Sequence, residues 1–169
     1  AIAEAARIGV TSATIFWHAA VANDYAENWE AAFENITRAL ELDPICEPYR
    51  HSFSVIMNRI RAALTNENRS FDDPSTPKLY AMVVGAGEAT PECHAAMVRY
   101  ALATGDVEKA KAIANATALL FPASSAAWKC KAEVAAGTGD VATAESCAIE
   151  LAALGESFPP FAIPGKAAA

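Results

Sequence analysis

The tetrapeptide Thr104-Gly105-Asp106-Val107 returns thirty-four residues later as Thr138-Gly139-Asp140-Val141. The apolar pattern around it returns too: Ala101 with Ala135, Ala110 with Ala144, Ile113 with Cys147, Ala114 with Ala148 and Leu120 with Leu154. A fixed period of this length marks a chain built of stacked supersecondary units, none of which can bury its apolar side alone.

One unit can be read from its residues. Glu92 to Ala103 predicts a helix. Thr104-Gly105-Asp106 predicts the turn that follows, with glycine taking the left-handed conformation and Asp106 capping the next helix. Val107 to Phe121 predicts the second helix, with Val107, Ala110, Ile113, Ala114, Thr117 and Phe121 on one side, and Pro122 stops it. The next unit repeats the plan: Ser124 or Ser125 as cap, a helix over Ala126 to Gly137, the same turn, then a helix over Val141 to Leu154. Alanines meet alanines near each turn, which lets two helices approach closely.

These residues resemble the tetratricopeptide repeat family. The small residue five positions after the turn glycine is Ala110 or Ala144, the closing proline is Pro122, and the aromatic near the start of a first helix is Trp128. The glycine usual midway along the first helix is replaced by Val98 and Ala132, and Glu156 stands where the last closing proline would be. The resemblance implies an all-α fold: a right-handed stack of antiparallel helix pairs, or α-solenoid. It covers two units clearly and the others in degenerate form.

Earlier in the chain, residues 1–9 carry a helical pattern, Thr11 and Ser12 read as a cap, and Ala13 to Asn23 continue as a helix. Asp24 to Asn28 reads as a turn and Trp29 to Leu42 as a second helix ended by Asp43-Pro44. From Pro44 to Pro122 is two periods and about ten residues more. Glu47 to Leu64 predicts a long helix, Thr65 to Pro77 a polar surface loop holding the insertion, and Lys78 to Glu88 a short helix. The expected organisation is one helical-repeat domain over 1–164, with units at roughly 11–44, 45–90, 91–122 and 123–156 and an irregular tail at 157–169. In that tail Phe158, Phe161 and Ile163 are suited to fold back over the last helix.

Roughly a quarter of the chain is alanine, a helix former that buries little area. A net charge of -7 argues against non-specific nucleic-acid binding, which needs clustered Lys and Arg. No apolar run reaches the length of a membrane span. No signal peptide is visible, although the chain starts at Ala1, which is compatible with removal of a leader. Cys46, Cys93, Cys130 and Cys147 have no CxxC spacing and read as small core residues. A Cys130–Cys147 disulfide stays conceivable within one helix pair, but Cys147 takes the place of Ile113 and should face the core. Reduced thiols point to an intracellular, cytoplasmic setting.

No catalytic constellation emerges. Met82-Val83-Val84-Gly85-Ala86-Gly87 imitates a dinucleotide turn, but Thr90 stands where the third glycine is needed, so a glycine-loosened helix is expected. His18, His51 and His94 are scattered, with no HxxxH spacing for a metal, and GxSxG is absent. No cofactor is expected and the chain is read as a non-enzyme. The family resemblance implies instead that first helices line a groove for a peptide or a partner's helix. Mapped by the thirty-four-residue frame, that groove carries Trp17, His51, Asn58, Arg59, Arg99 and Lys129. Arg59, Arg99 and Lys129 would form a basic strip suited to an acidic segment or a carboxylate. The Lys-then-Asn spacing of the chaperone-tail-binding subclass is absent, because Glu133 follows Lys129 by four. The expected function is a scaffold or adaptor binding a protein or peptide, alone, as an oligomer or within a larger complex. The alternative is an accessory helical domain of a signalling or transcriptional regulator, since Trp29 to Phe53 also resembles the helical activation domains of some bacterial regulators.

Overall fold

The computed structural model describes residues 12–156. The helical pattern at 1–9, Thr11 and the tail aromatics Phe158 and Phe161 lie outside the described residues. Eight α-helices and no strand occur among the described residues: α1 Ala13–Tyr25, α2 Trp29–Leu42, α3 Glu47–Leu64, α4 Thr76–Gly85, α5 Pro91–Ala103, α6 Val107–Leu120, α7 Ser125–Gly137 and α8 Val141–Ala153.

Two kinds of stop signal end seven of the eight helices, all but α3. The first is a left-handed residue just past the helix. Gly87, Gly105, Gly139 and Gly155 take φ of 71° to 81°, and Glu27 does the same at 55°. In each case the next backbone N–H reaches back five residues, as in Asp106 N to Ala101 O (2.7 Å) and Asp140 N to Ala135 O (2.8 Å). That bond satisfies a carbonyl which the helix end would otherwise leave bare. The second signal is a proline: α2 and α6 end at Asp43-Pro44 and Phe121-Pro122. Three starts are capped as the sequence predicts, whereas Ser12, also expected to cap, stands at the start of α1 without a side-chain capping bond. Asp106 accepts from Lys109 N, Asp140 from Thr143 N and Ser124 from Ala127 N.

Several boundaries differ from the sequence expectation: α1 runs on to Tyr25, so that Asp24 is helical rather than in the turn, α5, α6, α7 and α8 each shift by one residue at one end, and α4 differs most. α4 starts at Thr76 rather than Lys78 and stops at Gly85 rather than Glu88. Pro77 is therefore inside its first turn, where a missing N–H costs no hydrogen bond. The left-handed Gly87 closes its other end. The glycine-bearing stretch after Met82 is thus a helix end, not a strand entering a phosphate loop.

The described helices fall into two compact units. Residues 12–66 with Ala81–Glu88 form one, and Glu67–Tyr80 with residues 89–156 form the other. In the first, α1 packs on α2, α2 on α3 and α1 on α3. Three hydrogen bonds join α1 to α3, and all link residues 35 apart: Thr14–Tyr49 (3.1 Å), Trp17–Ser52 (2.8 Å) and Asp24–Arg59 (2.6 Å). A constant offset along both helices requires them to run parallel. In the second unit α5 packs on α6, α6 on α7, α7 on α8 and α5 on α7.

The two units share one local plan. Buried positions in α1–α3 find buried counterparts seventy-eight residues later in α5–α7: Ala19 with Met97, Ala20 with Val98, Ala32 with Ala110, Ile36 with Ala114, Ile56 with Val134. The left-handed Glu27 corresponds in the same way to Gly105, and Pro44 to Pro122. The cores differ in bulk. Ile36, Ile56, Met57, Ile60 and Leu64 fill the first, whereas Ala95, Val98, Ala101, Ala110, Ala114, Cys130 and Val134 form a small-residue cluster in the second. Each buried methyl or methylene contributes only about 0.8 kcal/mol, so the alanine-lined pairs depend on close backbone approach and well-made ends. Cys93, Cys130 and Cys147 are buried, as their small-core reading expects, whereas Cys46 is only partly buried because it sits at the exposed start of α3; all four are free thiols.

Candidate interaction surface

The α1–α3 seam carries two of the residues singled out from the sequence. Trp17 is held by its indole N–H on Ser52 and by ring contacts with Tyr49 (5.7 Å) and His18 (4.7 Å). Arg59 lies toward the far end of the seam. Its guanidinium donates to Asp24 Oδ2 at 2.6 Å and sits 5.9 Å from the centre of the Tyr25 ring. Asp24 is buried near the end of α1, and Arg59 satisfies its Oδ2, while its Oδ1 has no hydrogen-bond partner among the described residues. Asn58 accepts from Arg61, whose other nitrogen pairs with Glu88 at 2.8 Å. His51 opens onto a recess of about 600 Å³ with Leu40, Pro44, Glu47, Arg50 and Phe53, where α2 gives way to α3.

Arg99 and Lys129 belong to the other unit, on α5 and α7. Lys129 donates to Glu156 at 2.8 Å, and that hydrogen bond, with the charge of Lys129, holds the Glu156 carboxyl below its usual range. Arg99 is different. No carboxylate lies within 4.0 Å of it among the described residues, and its guanidinium stands 5.8 Å over the ring of Phe71. Of the three cations on the expected basic strip, Arg59 and Lys129 are thus already neutralised by partners of this chain, and Arg99 is exposed and unpaired.

The remaining reactive groups are quiet or engaged. Burial, reinforced by Glu133 and opposed by Arg99, pushes the Cys130 thiol up to about 12. Burial likewise raises Cys147. The Tyr80 hydroxyl and His94 Nδ1 share a hydrogen bond of 2.7 Å, and the imidazole packs against the rings of Tyr80 and Phe121. Burial lowers the pKa of His94 and raises that of Tyr80, favouring the neutral form of both. Among the described residues no three His, Cys, Asp or Glu side chains come together as a metal site, and no helix is long and apolar enough to cross a membrane.

Sequence reasoning missed Phe71, Asp24 and Tyr80 as members of these constellations. Asp24 had a usable signal, since it lies one period plus one residue before Arg59. Phe71 had a weaker one, as a lone aromatic in a polar loop. No protein-family model matches the chain, and no curated protein matches it.

Proposed function

We propose that this chain is a non-catalytic interaction module of the tetratricopeptide-like class, a right-handed stack of helix pairs that takes a partner segment along its first helices. The repeated pair α5–α6 and α7–α8, closed by the same glycine turn, supports the repeat. The parallel run of α1 and α3 supports the successive placement of first helices. The observation that carries the binding role is Arg99: an exposed cation with no carboxylate within 4.0 Å among the described residues, in a chain whose net charge is -7. An unpaired cation of this kind favours a local anionic ligand against the net field of the molecule. The partner is therefore an acidic peptide or protein segment. Selection of displayed random peptides on the purified chain tests this. Enriched sequences should carry Asp or Glu; enrichment of neutral or basic sequences would overturn the assignment.

A further inference from the structure

We propose that the inserted loop at 67–75 is part of the binding surface, and that Phe71 with Arg99 forms a two-part platform for a partner segment pairing a carboxylate with an adjacent apolar side chain. The inference rests on the interaction role proposed above and specifies its ligand. Three observations carry it.

The first is that the loop is built, although the sequence shows only turn formers. The Arg69 side chain is 13% exposed, pairs with Asp73 at 3.3 Å, donates to Thr76 Oγ1 at 3.2 Å and also bonds Ser75. Asp73 accepts from the backbone N–H of Ser75 at 2.8 Å, and Ser70 bonds Asp72. The loop thus holds its shape through a local network of polar bonds, gathered on the largely covered Arg69, and presents Phe71, 56% exposed. The second is the geometry of the pair. The Arg99 guanidinium carbon stands 5.8 Å over the ring centre, within cation–π range, and a guanidinium with five N–H donors can hold that contact and still donate to a carboxylate. The third is charge. Asp73 is taken by Arg69 and Ser75, Glu156 by Lys129, and Asp106 and Asp140 by helix caps. Glu133 on α7 is near enough to act with Arg99 on Cys130 but forms no ion pair with it. Among the described residues no carboxylate pairs with Arg99, which leaves its donors for an incoming acid, and Phe71 offers apolar surface beside it.

The test is an NMR titration of the labelled chain, following Arg99 Nε–H and the Phe71 ring. The probes are a capped glutamyl-phenylalanyl dipeptide, its glutaminyl analogue and a glutamyl-glycyl control. The expected result is saturable shifts at both sites, strongest for the first probe. Arg99→Gln and the glutaminyl probe should each weaken binding roughly tenfold, the scale of a charge-assisted bond. Phe71→Leu should weaken it about two- to fivefold, as loss of a cation–π contact does, and Phe71→Tyr, which keeps the ring, should not. Equal binding of acid and amide probes would overturn the proposal, as would Phe71→Leu binding like the parent. If Phe71→Leu is silent while Arg99→Gln is weak, the loop assignment fails and the acidic-partner reading survives. If both variants bind like the parent, both readings fail.

Discussion

The turn glycines offer a clean perturbation, because they isolate backbone conformation from packing. Gly105 and Gly139 sit at φ of 81° and 75°, and a methyl group added at either meets nothing within 4 Å. Alanine there therefore pays the left-handed backbone penalty of about 1–2 kcal/mol with no steric addition. Reduced freedom of the unfolded chain returns about 0.4–1 kcal/mol. The net loss should be about 0.5–1.5 kcal/mol and nearly equal at the two sites, since the two turns are made alike. Gly137, the last residue of α7, lies in open space without a positive φ. Its replacement by alanine should be neutral or stabilising by up to about 1 kcal/mol. Glu27 holds the corresponding left-handed position at φ 55°. Glu27→Gly should therefore stabilise, by less than about 1.5 kcal/mol. Urea denaturation followed by circular dichroism measures all four. If Glu27→Gly destabilises, or Gly105→Ala and Gly137→Ala change the midpoint alike, the shared-turn reasoning is wrong.

Ala110 is fully buried in the small-residue cluster and Ala144 is 6% exposed, so leucine at either should overpack its pair and cost about 1–3 kcal/mol; a parental thermal melt for both variants would refute the close-contact assignment. Burial depresses His94 from 6.5, so above that pH both folded and unfolded states hold it neutral. As pH falls below 6.5 the unfolded state takes the proton first, and stability declines until the folded pKa is passed. His94→Gln should flatten this slope in urea midpoints. It should leave intact the separate loss below about pH 4.5, where the depressed carboxyls of Asp73, Asp140 and Glu156 protonate.

Much of the architecture is legible in the residues because its determinants are local. α2 and α3 have the predicted bounds, since Asp43-Pro44 and Glu47-Pro48 fix the break between them. The turn at Thr104-Gly105-Asp106 is readable because glycine and a capping aspartate each have one economical use there. The start of α4 was harder, since Pro77 serves equally well at a loop end or in a first turn. The ten-residue excess is also divided: α3 runs on through Ile60 and Leu64, both buried, where its counterpart α7 has already stopped at Gly137. Tertiary burial decides that extension, and periodicity alone does not divide helix from loop. The surface was least legible. A thirty-four-residue frame projects Arg59, Arg99 and Lys129 as equals, but pairing depends on contacts made 35 and 27 residues away. Only the structure separates the two engaged cations from the open one.

The most direct measurement of the central claim compares two charge reversals, Arg99→Glu and Lys111→Glu, in binding to an acidic peptide selected on the parent chain. Lys111, on α6, pairs with Glu108 at 3.4 Å and bears on Asp140. Both substitutions change the net charge of -7 by the same amount. The account predicts that Arg99→Glu weakens binding at least about tenfold, or 1.4 kcal/mol, with little change in thermal melting, while Lys111→Glu binds within about twofold of the parent. Equal weakening by the two would show that only bulk charge matters, and the assignment of Arg99 as the anchor would be wrong.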